Sequence, residues 1–417
     1  MSKYTMVNNK GYVYLTAFLL FVCMRPYFVW GVYDAYPPVR VMVLLIISFI
    51  FYKYKDSDLR RRYVSLVGLF VVTVLISTLI SIGRGIYSIF GIFDIFSKVF
   101  LVSILFCKLS FKKDVLNGLT NIYSVLIFIS LISWFLAQRG LLPSLGLITS
   151  FDAEDRWFIH YPFLVIEQSL FEAIRFNAVF DEPGCVGTIG ALLLCLNRYN
   201  LKDWRMIIIL VSCLFSLSFF FYVISVAYLM IYYVVGKRNI WLAAVLVGFV
   251  LIFYNSTKDD EIFSRTIWER AEWDSETRSF RGDNRSTDEA DVYYQNRIGT
   301  SEYFFGFKDW EHYHKLAEGS SSYKNVVAAY GMLFFTLYVL IFLILCLKNR
   351  IGFVPFILYS LVLFANLYQR TGIYVPHIVF FFVVYAEIEG ERKRNSVGNR
   401  GKSISPSMGV VNNAFPK

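Results

Sequence analysis

The 417-residue chain is 57% hydrophobic and only 17% charged, with a mean hydropathy of +0.53. Soluble domains are about half apolar and about a quarter charged, so too few polar side chains remain here to cover a water-soluble globule. The net charge of +10 does not indicate nucleic-acid binding, because the Lys and Arg residues form short clusters between apolar runs, as the positive-inside rule expects of a membrane protein.

Apolar runs recur along the chain and predict an all-α fold. A hydrocarbon core of about 30 Å is crossed by a helix of roughly 20 apolar residues. The runs over residues 63–83, 115–138 and 325–347 carry no charged residue. The sequence therefore predicts a polytopic transmembrane helical bundle, with apolar runs near residues 11–31, 36–54, 63–83, 86–107, 115–138, 183–197, 206–235, 239–257, 325–347, 351–369 and 371–387.

The run over residues 206–235 decides the topology. It is long for one crossing, which needs roughly 20 residues, and short for two. If it crosses twice, the basic clusters all face one side of the membrane; they lie at residues 53–62, 108–113, 198–205, 237–238, 348–350 and 392–394. We therefore predict two short helices with a turn near residues 216–218, about 12 crossings in all, and both termini in the cytoplasm.

This topology places two long segments, residues 139–182 and 255–324, outside the cytoplasm. Loops longer than about 15 residues without evident structure tend to be functional or disordered. The first contains an aromatic-rich stretch, residues 157–166, that suits the membrane interface. We predict a transmembrane domain over residues 1–388, which carries these two extracytoplasmic loops, and a disordered cytoplasmic tail over residues 389–417.

The segment that opens the apolar run 183–197 carries the most informative residues. It reads Arg-Phe-Asn-Ala-Val-Phe-Asp-Glu-Pro-Gly-Cys-Val-Gly over residues 175–187. As a helix the uncharged run is only about 22 Å long, so Asp181 and Glu182 are expected at the outer headgroup boundary, at the positive end of the helix dipole. Two interpretations stay open: a helix N-cap at the interface, or a carboxylate and an arginine, Arg175, held at the depth of a lipid-linked pyrophosphate.

The pattern Arg-x-x-x-x-Phe-x-Glu-Pro-Gly-x-x-Gly, opening a membrane helix after an extracytoplasmic loop, resembles the signature of the O-antigen polymerase family of bacterial membrane polysaccharide polymerases. Chain length, helix number and the two long loops are also similar to that family. Further pieces resemble the second loop of these polymerases and of the related O-antigen ligases: Asp-Asn-Arg at 283–285, Phe-Phe-Gly-Phe at 304–307, and Ala-Tyr-Gly-Met-Leu at 329–333.

The resemblance implies a membrane glycosyltransferase on the outer face of the bacterial cytoplasmic (inner) membrane. Its donor would be a growing glycan on undecaprenyl pyrophosphate. Its acceptor would be a sugar hydroxyl on a fresh lipid-linked oligosaccharide repeat unit. The resemblance thus points to polysaccharide and lipopolysaccharide biosynthesis.

The residues that would carry this chemistry follow from its two needs. Arginine holds a pyrophosphate through paired hydrogen bonds, and the acceptor hydroxyl needs a base within hydrogen-bond reach. The base candidates are Glu182 first, then Asp181 and His314. The candidate ligands of the pyrophosphate and glycan are Arg175, Arg281, Arg285 and Asn177. For Arg281 and Arg285 the alternative is a solvated loop in which they pair with nearby Asp residues.

We expect no metal and no cofactor, because no cluster of possible ligands has metal-binding spacing, and we expect the six cysteines to be free thiols. The expected partners are the lipid-linked oligosaccharide, membrane lipid and a chain-length regulator protein. Two other functions stay open. An O-antigen ligase differs only in its acceptor, lipid A core, whereas a lipid-linked oligosaccharide transporter or flippase belongs to another class and often shows repeat symmetry, which this sequence does not.

Overall fold

The computed structural model describes residues 2–34, 36–83, 100–150, 153–168, 175–236, 240–274, 279–280, 287–317, 323–369 and 375–402. Over these residues the chain is predominantly helical, which confirms the helical class that the sequence predicts. The main helices and strands are α1 (Ser2–Val22), α2 (Pro37–Lys53), α3 (Ser57–Gly83), α4 (Leu109–Gln138), β1 (Gly146–Ser150), β2 (Ala153–Tyr161), β3 (Leu164–Glu167), α5 (Pro183–Leu196), α6 (Trp204–Phe215), α7 (Phe219–Leu229), α8 (Ile240–Thr257), β4 (Trp273–Asp274), β5 (Ser279–Phe280), α9 (Asp288–Gln295), α10 (Ser301–Phe305), α11 (Trp310–Leu316), α12 (Tyr323–Tyr330), α13 (Met332–Asn349), α14 (Phe353–Gln369) and α15 (Pro376–Lys402). Shorter helical turns cover residues 27–34, 100–106, 230–235 and 261–271.

Within the described residues, α4 and α13 are long and apolar enough to span a membrane by length and composition. Shorter apolar helices accompany them: Lys10–Val22, Pro183–Leu196, Trp204–Phe215, Phe219–Val235, Val247–Thr257 and Phe353–Tyr368. The helices share one apolar core, in which α1 packs along α4, α3 and α15 pack along α13, and α5 packs against both α6 and α7.

The apolar run over residues 206–235 breaks in two, as predicted. Helix α6 ends at Phe215, the chain turns through residues 216–218, and α7 begins at Phe219. Leu217 sits in the turn with φ +47°, a left-handed conformation that ends a helix and that a bulky residue rarely adopts. The predicted pair of short helices is therefore confirmed.

The first long loop departs from the all-α prediction, because it contains an antiparallel sheet in the order β1-β2-β3. Leu147 lies opposite Ile159, which in turn lies opposite Ile166. The aromatic-rich stretch forms β2 and β3 because aromatic and β-branched residues fit a pleated, half-buried surface. A two-residue turn, Pro162-Phe163, joins these strands.

The second long loop folds mainly into short helices with a small apolar core of their own. Helices α9, α11 and α12 and the chain between them supply its buried residues, which are Ala290, Tyr294, Phe307, Tyr313, Ala317, Val327 and Ala328. Beside this core the guanidinium of Arg297 lies 3.4 Å from the ring centre of Tyr293. The sequence predicted this segment as a long polar loop, whereas its described residues fold around a core of their own.

The C-terminal helix α15 runs to Lys402, so the disorder predicted from residue 389 does not hold for residues 389–402. As far as Glu391, acidic residues of α15 pair with cations of α4 and of the chain beyond α5. The Glu387 and Lys112 side chains form an ion pair at 2.5 Å and are 3% and 0% exposed. Glu389 is also buried and pairs with Arg198. These contacts extend the ordered helix beyond the apolar run.

Contacts among the basic clusters bring several helix ends together. Arg62 Nη1 lies 3.5 Å from Asn349 Oδ1, which joins the start of α3 to the end of α13. Lys113, in the first turns of α4, pairs with Glu391 of α15. With Arg198 just beyond α5, these residues gather at one end of the bundle. The predicted topology needs all the basic clusters on one side; the cluster at residues 237–238 lies outside the described residues, and the topology stays a prediction.

Glu387→Gln and Glu391→Gln form a matched pair of variants, because each carboxylate of α15 pairs with a lysine of α4. Removing the Glu387 carboxylate leaves Lys112 charged and buried, which we expect to lower the free energy of unfolding by roughly 3–5 kcal/mol. The Lys113–Glu391 pair is 40% and 35% exposed, so its loss is expected to cost about 1 kcal/mol or less. Unfolding of the purified protein in mixed detergent micelles measures both. Equal losses would show that burial of the Lys112–Glu387 pair adds nothing to stability.

Candidate functional site

The segment before α5 is anchored by hydrogen bonds to the break between α6 and α7. Arg175 Nε donates to the Ser216 carbonyl at 3.3 Å, and Arg175 Nη2 donates to the Leu217 carbonyl at 3.5 Å. The backbone N–H of Phe176 donates to the Phe215 carbonyl at 3.0 Å. The last carbonyls of a helix lack partners within the helix, and a cation at that end is favoured by the dipole. Arg175, which is buried, therefore holds this segment against the end of α6.

Two glycines let α5 approach its neighbours closely. A Cβ atom on Gly187 would lie 2.2 Å from Ser218 Cβ, and one on Gly190 would lie 2.2 Å from Cys213 Sγ. Real side chains do not come so near, so any larger residue would force the helices apart. Packing thus accounts for Gly187, the last residue of the sequence motif.

The two acids of the motif stand at the start of α5. Glu182 takes the N-cap position, with an extended backbone (φ −134°, ψ 141°), and its side chain makes no capping hydrogen bond. Asp181 Oδ1 accepts a hydrogen bond from Cys185 Sγ at 3.7 Å. Both acids are half-buried. The N-cap interpretation drawn from the sequence is therefore met in the position of Glu182 but not in a capping hydrogen bond from its side chain.

Among the described residues, an arginine that sequence reasoning missed lies beside Glu182. Arg156, on β2, donates from Nε and Nη2 to the two carboxylate oxygens of Glu167 on β3, at 3.0 and 2.8 Å. Its Nη2 also donates to the Asp181 carbonyl at 3.2 Å, and its Nη1 lies 3.9 Å from Glu182 Oε1. The Glu167 carboxylate is the main cause that raises the pKa of Arg156 above its ordinary value. Arg156 therefore stays charged and links the sheet to the start of α5.

A signal for Arg156 exists in the sequence, in the register of the β2–β3 hairpin. Phe158 lies opposite Glu167, and Arg156 is two residues along on the same face, so the two charged residues are diagonal neighbours. Reading this register requires the stretch to be recognised as a hairpin first, which the apolar pattern did not suggest.

Asn177 is the polar residue most deeply buried in the segment. Its side chain is 1% exposed, and within the described part of the chain neither its amide oxygen nor its amide nitrogen has a hydrogen-bond partner. Buried polar atoms are almost always paired, because leaving one unpaired costs its desolvation. A ligand or a water that brought hydroxyl groups to this point would satisfy both atoms.

Of the remaining candidates, His314 is the one that lies within the described residues. His314 is exposed on α11 and lies beside the Trp310 ring, with ring centres 6.1 Å apart. Arg281 and Arg285 lie outside the described residues. Over the residues that the structure does describe, no group of three or more His, Cys, Asp or Glu side chains could hold a metal ion. The assembled site therefore consists of Arg156, Arg175, Asn177, Asp181 and Glu182.

Arg156→Lys tests the link between the sheet and α5, with Arg139→Lys as the control because Arg139 is an exposed residue of the same loop. Lysine keeps the charge but loses the paired geometry on Glu167. We expect a local loss of about 1 kcal/mol after discounting for exposure, seen as roughly fivefold faster amide exchange over residues 176–182. Hydrogen exchange with mass spectrometry measures this. Unchanged exchange in Arg156→Lys would mean that the guanidinium does not hold the two parts together.

Comparisons with protein-family models, with curated proteins and with solved structures found no match for this chain.

Proposed function

We propose that this chain is a polytopic membrane glycosyltransferase, a polysaccharide polymerase that joins lipid-pyrophosphate-linked oligosaccharide repeat units on the outer face of the bacterial cytoplasmic membrane. The observation that carries the proposal is the position of the Glu182 carboxylate, which is partly exposed at the positive end of α5 with the Arg156 guanidinium beside it. Carboxylate, guanidinium and helix N-terminus are the groups that this chemistry requires.

The membrane location is supported by the surface of α4. Its residues Val125, Phe128, Ile132 and Phe135 are all 46–48% exposed and recur at helical spacing, while Tyr123, Ile127, Leu131 and Trp134 on the other side of the helix are buried. A helix that is apolar all round and half exposed needs an apolar environment outside the protein. The gathering of basic residues at one end of the bundle supports a cytoplasmic location for that end.

The proposed reaction assigns each group one task. The Glu182 carboxylate takes the proton of an acceptor sugar hydroxyl. The hydroxyl oxygen forms a bond to the anomeric carbon of the donor glycan, and the bond from that carbon to the pyrophosphate oxygen breaks. The pyrophosphate leaves with the electron pair, and Arg156 together with the N–H groups at the start of α5 stabilises its charge. The proton on Glu182 then passes to water.

The remaining residues are given supporting tasks. Arg175 fixes the segment against α6, and the unpaired amide of Asn177 binds a sugar hydroxyl. His314 is the second candidate for the base, and Arg281 and Arg285 for pyrophosphate binding from the second loop. The related ligase would use the same donor and differ only in its acceptor.

The topology is tested by single cysteines at Lys202, before α6, and at Asp283 in the second loop. Two crossings within residues 206–235, followed by α8, place these positions on opposite sides of the membrane. Labelling with a membrane-impermeant thiol reagent, in sealed vesicles of each orientation, measures the side. Labelling of both cysteines from the same side would mean that the run crosses only once, and the second loop would then lose its role in the outer site.

Glu182→Gln separates catalysis from folding, because Gln keeps the size of the side chain and removes the basic oxygen. Base catalysis contributes about 100- to 10,000-fold, so polymerisation should nearly vanish while the protein still accumulates. The matched control is Glu302→Gln, a half-buried carboxylate that also pairs with an arginine, Arg297, and it should polymerise normally.

The measurement for these variants is glycan ladder length from purified lipid-linked repeat units, normalised to protein level. A normal ladder from Glu182→Gln would remove Glu182 from the mechanism and leave His314 as the base to test. A wild-type protein that transfers the donor glycan to lipid A core but builds no ladder would be a ligase.

A further inference from the structure

The turn of the β2–β3 hairpin carries a bulky apolar residue in a conformation that normally selects glycine. Tyr161 pairs with Leu164, so Pro162 and Phe163 form the tip. Phe163 has φ +56°, in the left-handed region, and it is 43% exposed. After proline in a tight turn this position usually holds Gly or Asn. Strain of this kind persists where the surroundings or a function require the side chain.

The tip lies alongside the apolar helix α4 rather than beyond its end. Ser130 Oγ lies 2.5 Å from the Phe163 carbonyl oxygen and 2.8 Å from the Leu126 carbonyl oxygen, and its single proton is shared between these acceptors. Ser130 precedes the last residue of α4, Gln138, by eight positions, which is about 12 Å at 1.5 Å per residue. If α4 crosses the bilayer, the tip therefore lies below the level at which the helix leaves it.

Two features of the tip backbone fit this depth. In hydrocarbon every backbone polar group needs a partner within the protein. The carbonyl of Phe163 has one in Ser130, and Pro162 has no N–H to satisfy.

One face of the sheet is apolar, and the helices cover only part of it. Its residues Leu164 and Ile166 are buried in the main core. Across the paired strands the same face continues to Leu147 and Trp157, which are 53% and 48% exposed. Half-exposed Leu and Trp side chains beside a membrane helix are typical of the interfacial belt.

We propose that this hairpin is a membrane anchor, in which Phe163 inserts into the outer leaflet and Leu147 and Trp157 lie in the headgroup region. The occupant of the exposed face is bulk bilayer lipid. The proposal rests on the membrane location given under the proposed function. Its consequence is that the anchor sets the depth of Arg156, which lies on the same hairpin and contacts the start of α5.

The test uses the full chain reconstituted in phospholipid vesicles, with an environment-sensitive fluorophore on one introduced cysteine. The variants are Phe163→Cys for the tip, Phe128→Cys as the lipid-exposed reference on α4, and Val292→Cys, an exposed residue of the second loop, as the aqueous reference. The wild-type chain, in which all cysteines except Cys185 are buried, provides the labelling blank. Quenching is measured with nitroxide-labelled phospholipids and, separately, with aqueous iodide.

We expect lipid nitroxides to quench position 163 as strongly as position 128, and iodide to quench only position 292. If lipid quenches position 128 while iodide quenches position 163, the anchor is wrong and the membrane location stands. If lipid quenches neither, both the anchor and the proposed membrane location are wrong. Leu147→Cys serves as a second probe should Phe163→Cys elute as aggregate, and quenching at 147 by iodide alone would equally overturn the anchor.

Discussion

The candidate site depends on the carbonyl groups left without partners where α6 ends. Only three residues separate α6 from α7, so local turns do not supply all the donors that these carbonyls need. Arg175 and Phe176, far earlier in the chain, supply them instead. Because this contact fixes the segment before α5, it also fixes where Glu182 stands. The close approach allowed by Gly187 then leaves α5 little freedom to shift.

The second constraint on the site comes from the small sheet of the first loop. One face of the sheet packs on the N-terminal part of the chain, where Trp30 contacts Phe158 and Val165, and where His160 Nε2 lies 3.0 Å from the Tyr27 hydroxyl. Arg156 lies on this sheet and contacts Asp181 and Glu182, so the position of the sheet also restricts where these two acids lie. The two arginines of the site therefore differ in role. Arg175 is buried against backbone carbonyls and positions the segment, whereas Arg156 is one-third exposed and lies beside the Glu182 carboxylate.

At the opposite end of the bundle, ion pairs join helices that also share the apolar core. Helix α15 presents Glu387, Glu389 and Glu391 to cations from α4 and from the chain beyond α5. A buried ion pair is costly to form and costlier to break, so the Lys112–Glu387 pair disfavours arrangements of the helices that would separate its two charges. Backbone capping and glycine contacts thus add to the apolar core at the site, and ion pairs add to it at the basic end.

The sequence by itself determined the features that depend on local pattern. Uninterrupted apolar runs predicted the helices. The break at residues 216–218 was predicted from the excess length of residues 206–235 and from the flanking charges. The motif over residues 175–187 located the segment that carries the site. These follow from helix geometry and hydrophobicity, which are properties of neighbouring residues. Only the tertiary structure decided the sheet, the order in α15 beyond residue 388, and the partner of Glu182. Each of these features joins residues that are far apart in the chain, through strand pairing, the Lys112–Glu387 ion pair or the contact from Arg156 to α5. The energies of these contacts depend on burial and hydrogen-bond geometry, which a local sequence pattern does not contain.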